Sequence, residues 1–297
     1  MNNPNVRFAG AQIPCTDSLE KNINHIKEAI SWAGKNKVDY LLTPEGSLSG
    51  YFPDWDTRDG RTIDDVYAAE RQVVNYAVEN NVGLCLGTMW GETDSEFLPE
   101  GYRKENQIRF YTNTGELAGT SSKMYLLPTY DQCFPAQEVN KIDLPTPIQN
   151  FYAAGLICND FWGGALLDKI SLPLYVHKTL RAHVVFHATN GYRGTLPTYD
   201  EITQEWHSAS LRALSWACLG MPIITADNSI NMHGTDYNGR TSSPSGILLN
   251  GEWKIKAERI GTQYFYYDFD VLSLVNYQLD KYPDEEIIKA NPGITFC

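Results

Sequence analysis

Three segments of the 297-residue chain each place one reactive side chain at the edge of a hydrophobic stretch. Cys158 ends the apolar run Ala153-Ala154-Gly155-Leu156-Ile157 and is followed by Asn159-Asp160-Phe161-Trp162-Gly163-Gly164. This pattern reads as a buried strand that delivers a thiol to its C-terminal end, with a sharp turn beyond. Glu45 follows Tyr40-Leu41-Leu42 and precedes Gly46. A carboxylate half-removed from water binds protons more tightly, which suits general acid–base work near neutral pH. Lys123 stands in Ser122-Lys123-Met124-Tyr125-Leu126-Leu127-Pro128. A buried ammonium needs an anionic partner or gives up its proton. Near a thiol it favours the thiolate, and near a carbonyl it stabilises an oxyanion. Taken singly, such a Glu or Lys is more commonly an ordinary strand-end charge. Together the three supply a base, a cation and a nucleophile.

The elements that must hold these residues follow from hydrophobic periodicity. Val6 to Ile13 reads as a short strand. Asp17-Ser18-Leu19-Glu20 caps a helix to about Ala33 that turns Ile23, Ile26 and Ile30 to one side. Strands are expected at 38–42, 82–88 and 107–112, with a helix at about 63–80. The segment from Tyr111 to Gly119 resembles a hairpin turn between paired strands. After Cys158 come a helix near 165–172, a strand at 183–187 and a long helix at 203–219. Strands at 222–226 and 245–249 follow, and then a strand pair within 258–269. Strand–helix–strand units followed by hairpins point to an α/β protein whose sheet faces are covered. Long aromatic-rich loops at 90–105 and 191–201 shape a pocket or an interface, or are exposed insertions.

Bulk composition narrows the function classes. The chain is 42% hydrophobic and 12% aromatic, ample for one large core. Lys and Arg number 24 against 36 Asp and Glu, a formal net charge of −12. Such a surface repels nucleic acid and anionic membrane, so a small-molecule partner is expected. No apolar run approaches the ~18 residues of a bilayer span. The segment Met1-Asn2-Asn3-Pro4-Asn5 lacks the layout of a signal peptide, so a cytoplasmic location is expected. The six cysteines, at 15, 85, 133, 158, 218 and 297, form no Cys-x-x-Cys pair. That argues against a disulfide framework or a zinc site and for a reducing compartment. Cys85 and Cys218 read as small core residues.

Longer motifs around the three residues resemble those of the nitrilase superfamily of carbon–nitrogen hydrolases, along nearly the whole chain. Leu42-Thr43-Pro44-Glu45-Gly46, with Ser49-Gly50-Tyr51 and Pro53 after it, is similar to the family's Pro-Glu segment. Ser122-Lys123-Met124-Tyr125-Leu126-Leu127-Pro128-Thr129-Tyr130-Asp131 is similar to its lysine segment. The nearest likeness is to the glutaminase domains of glutamine-dependent NAD synthetases. Gly155-Leu156-Ile157-Cys158-Asn159-Asp160-Phe161-Trp162 matches its nucleophile strand. Asn106, Leu211-Arg212-Ala213 and Gly220-Met221-Pro222-Ile223 also resemble family features.

The resemblance implies a four-layer α-β-β-α sandwich with pseudo-twofold halves. Residues 1–272 would form the carbon–nitrogen hydrolase domain, and residues 273–297 a tail packed at an oligomer interface. It implies a Glu45–Lys123–Cys158 triad, with Glu45 as general base. Lys123 and the backbone N–H of Asn159 would form the oxyanion site, and Cys158 would pass through a thioester. No metal or organic cofactor is implied. A homodimer or larger homo-oligomer, joined through the helices beside the nucleophile, is expected.

Many family members carry a second glutamate after the lysine, followed by Phe-x-Pro-Gly. Here the segment from Pro128 to Gln137 is shorter. Asp131 replaces that glutamate, Glu138 replaces it from a displaced register, or nothing does; Asp131 is slightly favoured. Substrate contacts are expected from Tyr51, Tyr130, Trp162 and Asn190, which follow strand ends or catalytic motifs. Rim packing or loop capping fits each equally well. His187 ends an apolar strand and is expected to pack or to bond to backbone, although a Cys–His arrangement is conceivable. The expected activity is hydrolysis of a small amide, either a carboxamide or an N-carbamoyl compound. The Asn159-Asp160-Phe161-Trp162 run differs from the Trp-Glu pair of true nitrilases and ranks nitriles below amides. Nitrile hydrolysis and acyl transfer to an amine are alternatives on the same triad. An alternative of another class is a catalytically weak binding or assembly protein that retains the fold.

Overall fold

The central strands are apolar on both faces because both faces of each sheet are covered, one by the other sheet and one by helices. The computed structural model describes residues 5–51, 61–92, 103–127, 133–146, 150–166, 169–191, 197–229 and 240–275. The first half runs β1 (Asn5–Gln12), α1 (Leu19–Lys35), β2 (Tyr40–Leu42), α2 (Ile63–Glu79), β3 (Gly83–Glu92), β4 (Arg103–Tyr111) and β5 (Leu117–Ser122). The second begins β6 (Ile142–Leu144), β7 (Phe151–Ile157), α3 (Asn159–Leu166) and α4 (Leu172–Tyr175), continued by a π turn over Val176–Leu180. It goes on through β8 (Val184–Ala188), α5 (Pro197–Ala217), β9 (Ile223–Ala226), β10 (Gly246–Leu249) and β11 (Glu252–Lys256). It closes with β12 (Gln263–Asp270) and α6 (Val271–Val275).

Among the described residues these strands make two six-stranded sheets of the same plan, ordered β12-β1-β2-β3-β4-β5 and β6-β7-β8-β9-β10-β11. In each, three parallel strands lie between an antiparallel edge strand and an antiparallel pair. The four-layer sandwich with two similar halves is therefore the architecture the chain adopts. Strand alternation sorts the layers. Val6, Phe8, Tyr40, Leu42 and Cys85 enter the core shared by the sheets, whereas Ala9, Ala11, Leu41, Leu84 and Leu86 pack against α1 and α2. Edge-on aromatic contacts fasten the sheets together: Phe8 lies 5.9 Å from Phe151 and 5.6 Å from Phe186, centroid to centroid. Helices α3 and α5 cover the outer face of the second sheet.

Two expectations are corrected. The helix placed near 165–172 starts at Asn159, directly after the nucleophile candidate, and a separate short helix begins at Leu172. The glycines taken as a break lie inside α3, where a Cβ on Gly164 would sit 2.5 Å from the Ile170 carbonyl oxygen. The strand pair placed within 258–269 is a single strand there, β12, and the hairpin lies earlier in the chain. Asn250 and Gly251, both at positive φ, turn β10 into β11, while β12 pairs along all of β1. An Asn-Gly pair between apolar runs favours such a tight hairpin turn. Helix α6 straddles the boundary placed at 272/273, and residues 276–297 lie outside the described residues.

One glycine bears directly on Glu45. A Cβ on Gly87 in β3 would lie 1.9 Å from the Pro44 carbonyl oxygen, so strand and Pro-Glu turn touch backbone to backbone. Gly87→Ala is expected to cost about 1–3 kcal/mol in denaturant unfolding, as overpacked interiors do. It should also lower turnover by displacing Glu45. Unchanged stability would mean that the turn is freer to shift than its contacts indicate.

Candidate active site

Strand β2 stops where the chain must turn. Thr43 N–H still bonds to the Cys85 carbonyl (3.0 Å), and Pro44 then has no N–H to offer. Thr43 Oγ1 accepts from Gly87 N–H (3.0 Å) and from Ser47 Oγ (2.8 Å), and Leu48 N–H reaches the Gly87 carbonyl (3.1 Å). Gly46 and Gly50 supply positive φ values of 65° and 87°. The turn sets Glu45 inward with 1% of its surface exposed.

Lys123 follows β5 and has no exposed surface. Its Nζ lies 2.9 Å from Glu45 Oε1 and 3.5 Å from the Tyr51 hydroxyl. Asn106 on β4 joins the two residues. Its Nδ2 donates to Glu45 Oε1 (2.7 Å), while its carbonyl accepts Lys123 N–H (2.8 Å). A buried ion pair this close needs such extra hydrogen bonds to offset desolvation.

Cys158 sits just beyond β7 with φ 48°, in the left-handed region. A non-glycine residue held there costs about 1–2 kcal/mol, so the surroundings must enforce it. Its N–H bonds to the Ala188 carbonyl at the end of β8 (2.9 Å), and its own carbonyl accepts Phe161 N–H (3.1 Å). Helix α3 begins at the next residue. A helix's first N–H groups lack intrahelical partners and carry partial positive charge, which favours a thiolate or oxyanion beside them.

Hydrogen bonds one or two residues away tie the three segments together. Asp160, buried in the first turn of α3, accepts N–H bonds from Met124 (2.9 Å) and Tyr125 (2.7 Å), next to Lys123, and from Ile157 (3.1 Å). Burial pushes its carboxyl up to about 6, against the pull of these N–H groups and of the Lys123 charge. Asn190, after β8, donates to the Glu45 carbonyl (3.1 Å), and Asn228 donates to the Asn190 Oδ1. Asp227 accepts N–H bonds from Gly191, Asn228, Ser242 and Ser243, which joins the loops after β8, β9 and the segment before β10. Asp160 and Asp227 were given no role from sequence. The visible signal was a carboxylate two residues after a candidate nucleophile, and another ending the apolar run Ile223–Ala226.

The other expected site residues are placed as follows. Trp162 is buried, donates its indole N–H to Asn159 Oδ1 (3.1 Å) and stacks on His207 at 4.4 Å. Glu138 is exposed. Asp131 and Tyr130 lie outside the described residues. His187 is fully buried and does bond to backbone: Nε2 faces the Cys158 carbonyl (3.3 Å) and Nδ1 faces Thr225 Oγ1 (3.0 Å). Because a carbonyl only accepts, Nε2 carries the ring proton. Burial drives the ring down to about 3, so it is neutral near pH 7. With its Nδ1 lone pair on Thr225, it is not placed as a base for the Cys158 thiol. Burial also raises the Cys85 thiol well above its ordinary value and takes Cys218 up to about 12. Among the described residues, no group of three or more His, Cys, Asp or Glu side chains could hold a metal ion. Nor is any helix there long and apolar enough to cross a membrane.

This arrangement coincides with a family match. The model of the carbon–nitrogen hydrolase family matches residues 6–243, most of the chain and all three segments. The chain belongs to the carbon–nitrogen hydrolase family. Solved structures of the nitrilase superfamily share its fold. A variant of the amidase from Nesterenkonia sp. AN1, with the acetamide moiety of fluoroacetamide covalently added at its active-site cysteine, superposes with TM-score 0.68. The two are 16% identical over 94% of this chain and 95% of that one. Another variant of that amidase, in complex with butyramide, gives TM-score 0.66 at 18% identity, covering 94% and 97%. The C. elegans NitFhit protein gives TM-score 0.67 at 15% identity over 98% of this carbon–nitrogen hydrolase and 65% of that chain.

Proposed function

We propose that the protein hydrolyses the carbon–nitrogen bond of a small carboxamide through a thioester on Cys158. The observation that carries this reading is a buried Lys123–Glu45 pair whose lysine segment is tied to the strand ending at Cys158, because Asp160 accepts from the N–H groups of Met124, Tyr125 and Ile157. Glu45 takes the thiol proton as Cys158 Sγ bonds to the carbonyl carbon. The oxygen, now negative, is stabilised by Lys123 Nζ and Asn159 N–H. Glu45 returns the proton to the nitrogen, the C–N bond breaks and ammonia leaves. Glu45 then removes a proton from water, whose oxygen attacks the thioester. The C–S bond breaks, the thiol regains its proton and the carboxylic acid departs. No step calls on a metal or an organic cofactor.

The substrate class rests partly on likeness. The similar amidase structures hold butyramide and a fluoroacetamide-derived adduct, which favours small aliphatic amides here. Tyr51, Trp162 and Asn190 remain proposed substrate contacts; Asn190 also supports the Glu45 backbone. Exposed Ile202 and Trp206 on α5, and Ile170 after α3, favour self-association through that helical face. The test is ammonia release from a panel of aliphatic amides, N-carbamoyl compounds and nitriles of matched carbon skeleton. Amides are expected to turn over fastest. Faster nitrile turnover, or no ammonia from any amide, would overturn the reading.

A further inference from the structure

We infer that His187 is a positioning residue for the oxyanion site, acting through the Cys158–Asn159 peptide. The inference rests on the proposed amide hydrolysis for its kinetic consequence, but not for its geometry. A trans peptide is planar, with its C=O and the following N–H pointing in opposite directions. The structure has no cis peptide bonds among the described residues. Whatever holds the Cys158 carbonyl therefore aims the Asn159 N–H. Among the described residues, Phe161 N–H at 3.1 Å and His187 Nε2–H at 3.3 Å hold that carbonyl.

The ring is itself locked. Its centroid lies 4.6 Å from that of Phe161 and 5.1 Å from that of Trp162, and the Thr225 hydroxyl at 3.0 Å occupies Nδ1. Since Nε2 must donate to the carbonyl, Nδ1 must accept from Thr225, and this fixes the tautomer. The residue after His187 completes the grip, because the Ala188 carbonyl takes the Cys158 N–H at 2.9 Å. The end of β8 thus holds Cys158 from both its N–H and its C=O sides. Without the imidazole, the left-handed Cys158 loses a side-chain donor on its carbonyl, and the peptide is held less firmly.

The sequence offers a direct probe. Cys158-Asn159 is the only Cys-Asn pair in the chain, so protein labelled with carbonyl-13C cysteine and 15N asparagine gives one HNCO cross-peak. In His187→Leu this peak is expected to move while the other asparagine amides stay in place. In His187→Gln, whose side-chain amide can reach the same carbonyl, it should move less. Kinetically, His187→Leu should lower amide kcat at least tenfold, toward the ~10²–10³-fold loss typical of a missing oxyanion donor, with KM little changed. His187→Gln should recover part of that loss. Alkylation of Cys158 by iodoacetamide forms no oxyanion, so its rate in His187→Leu should stay within about twofold of wild type. Should His187→Leu fail to fold, Thr225→Val, which frees the ring, is expected to move the same peak by a smaller amount. An unmoved peak, or kcat and alkylation falling together, would overturn the inference. Absence of amide turnover by the wild type would sink the proposed reaction, and the cross-peak would still decide the geometry.

Discussion

Lys123→Met is expected to destabilise the fold by about 3–5 kcal/mol, the usual consequence of leaving one member of a buried ion pair without its partner. Neither side chain has exposed surface, and their charged atoms are 2.9 Å apart. A methionine side chain offers neither charge nor hydrogen bond in place of the ammonium, so Glu45 must remain ionised at high cost or take up a proton. Glu45→Gln, which strands the ammonium instead, should destabilise in the same way. The amide can still accept from Asn106 and Lys123, so its effect should be the smaller. The double variant Glu45→Gln/Lys123→Met removes both charges and is expected to regain most of the lost stability while remaining inactive. Urea unfolding of the four proteins measures the coupling directly. Additive losses would show that the two charges do not depend on each other. Wild-type stability in Lys123→Met would contradict the buried ion pair itself.

Cys158→Ala is expected to lower amide turnover on the order of 10⁴-fold or more, as loss of a covalent nucleophile does. The side chain lost is small, so the stability change should be modest beside that of Lys123→Met. Cys218→Ala should retain turnover. That thiol is buried against the Pro173 carbonyl, and burial holds its pKa near 12, so it contributes no thiolate near neutral pH. Ammonia release from each variant, matched for folded protein, measures both outcomes. Equal turnover by wild type and Cys158→Ala would exclude the thioester route.

The parts of the fold legible in the sequence were those where local pattern and tertiary environment agree. The runs ending at Leu42, Ile157 and Ala226 are strands because two covered sheet faces demand unbroken apolar residues. Glu45 and Cys158 stood out because they follow such runs, and Lys123 because it precedes the apolar Met124-Tyr125-Leu126-Leu127. Strand β6 was missed because three residues, Ile142-Asp143-Leu144, carry almost no periodic signal; pairing with Tyr152 and its neighbours makes them a strand. The start of α3 was missed because Gly163 and Gly164 read as a break. The packing of Ile170 and Tyr125 against them shows why small residues stand there. Asn106 and Asp160 stand within motifs that assign them no task, and the backbone bond expected of His187 has no partner named in the sequence. Their roles depend on which backbone groups they meet after the two sheets come together, and spacing along the chain does not encode that.

The most direct test of a covalent mechanism is acid-quenched mass spectrometry of the wild-type protein during turnover of a small aliphatic amide, followed by peptide mapping. The account predicts an added acyl group on the peptide that carries Cys158, formed before free acid accumulates and absent from Cys158→Ala. Steady amide turnover with no adduct at Cys158, or with the acyl group on another residue, would contradict it.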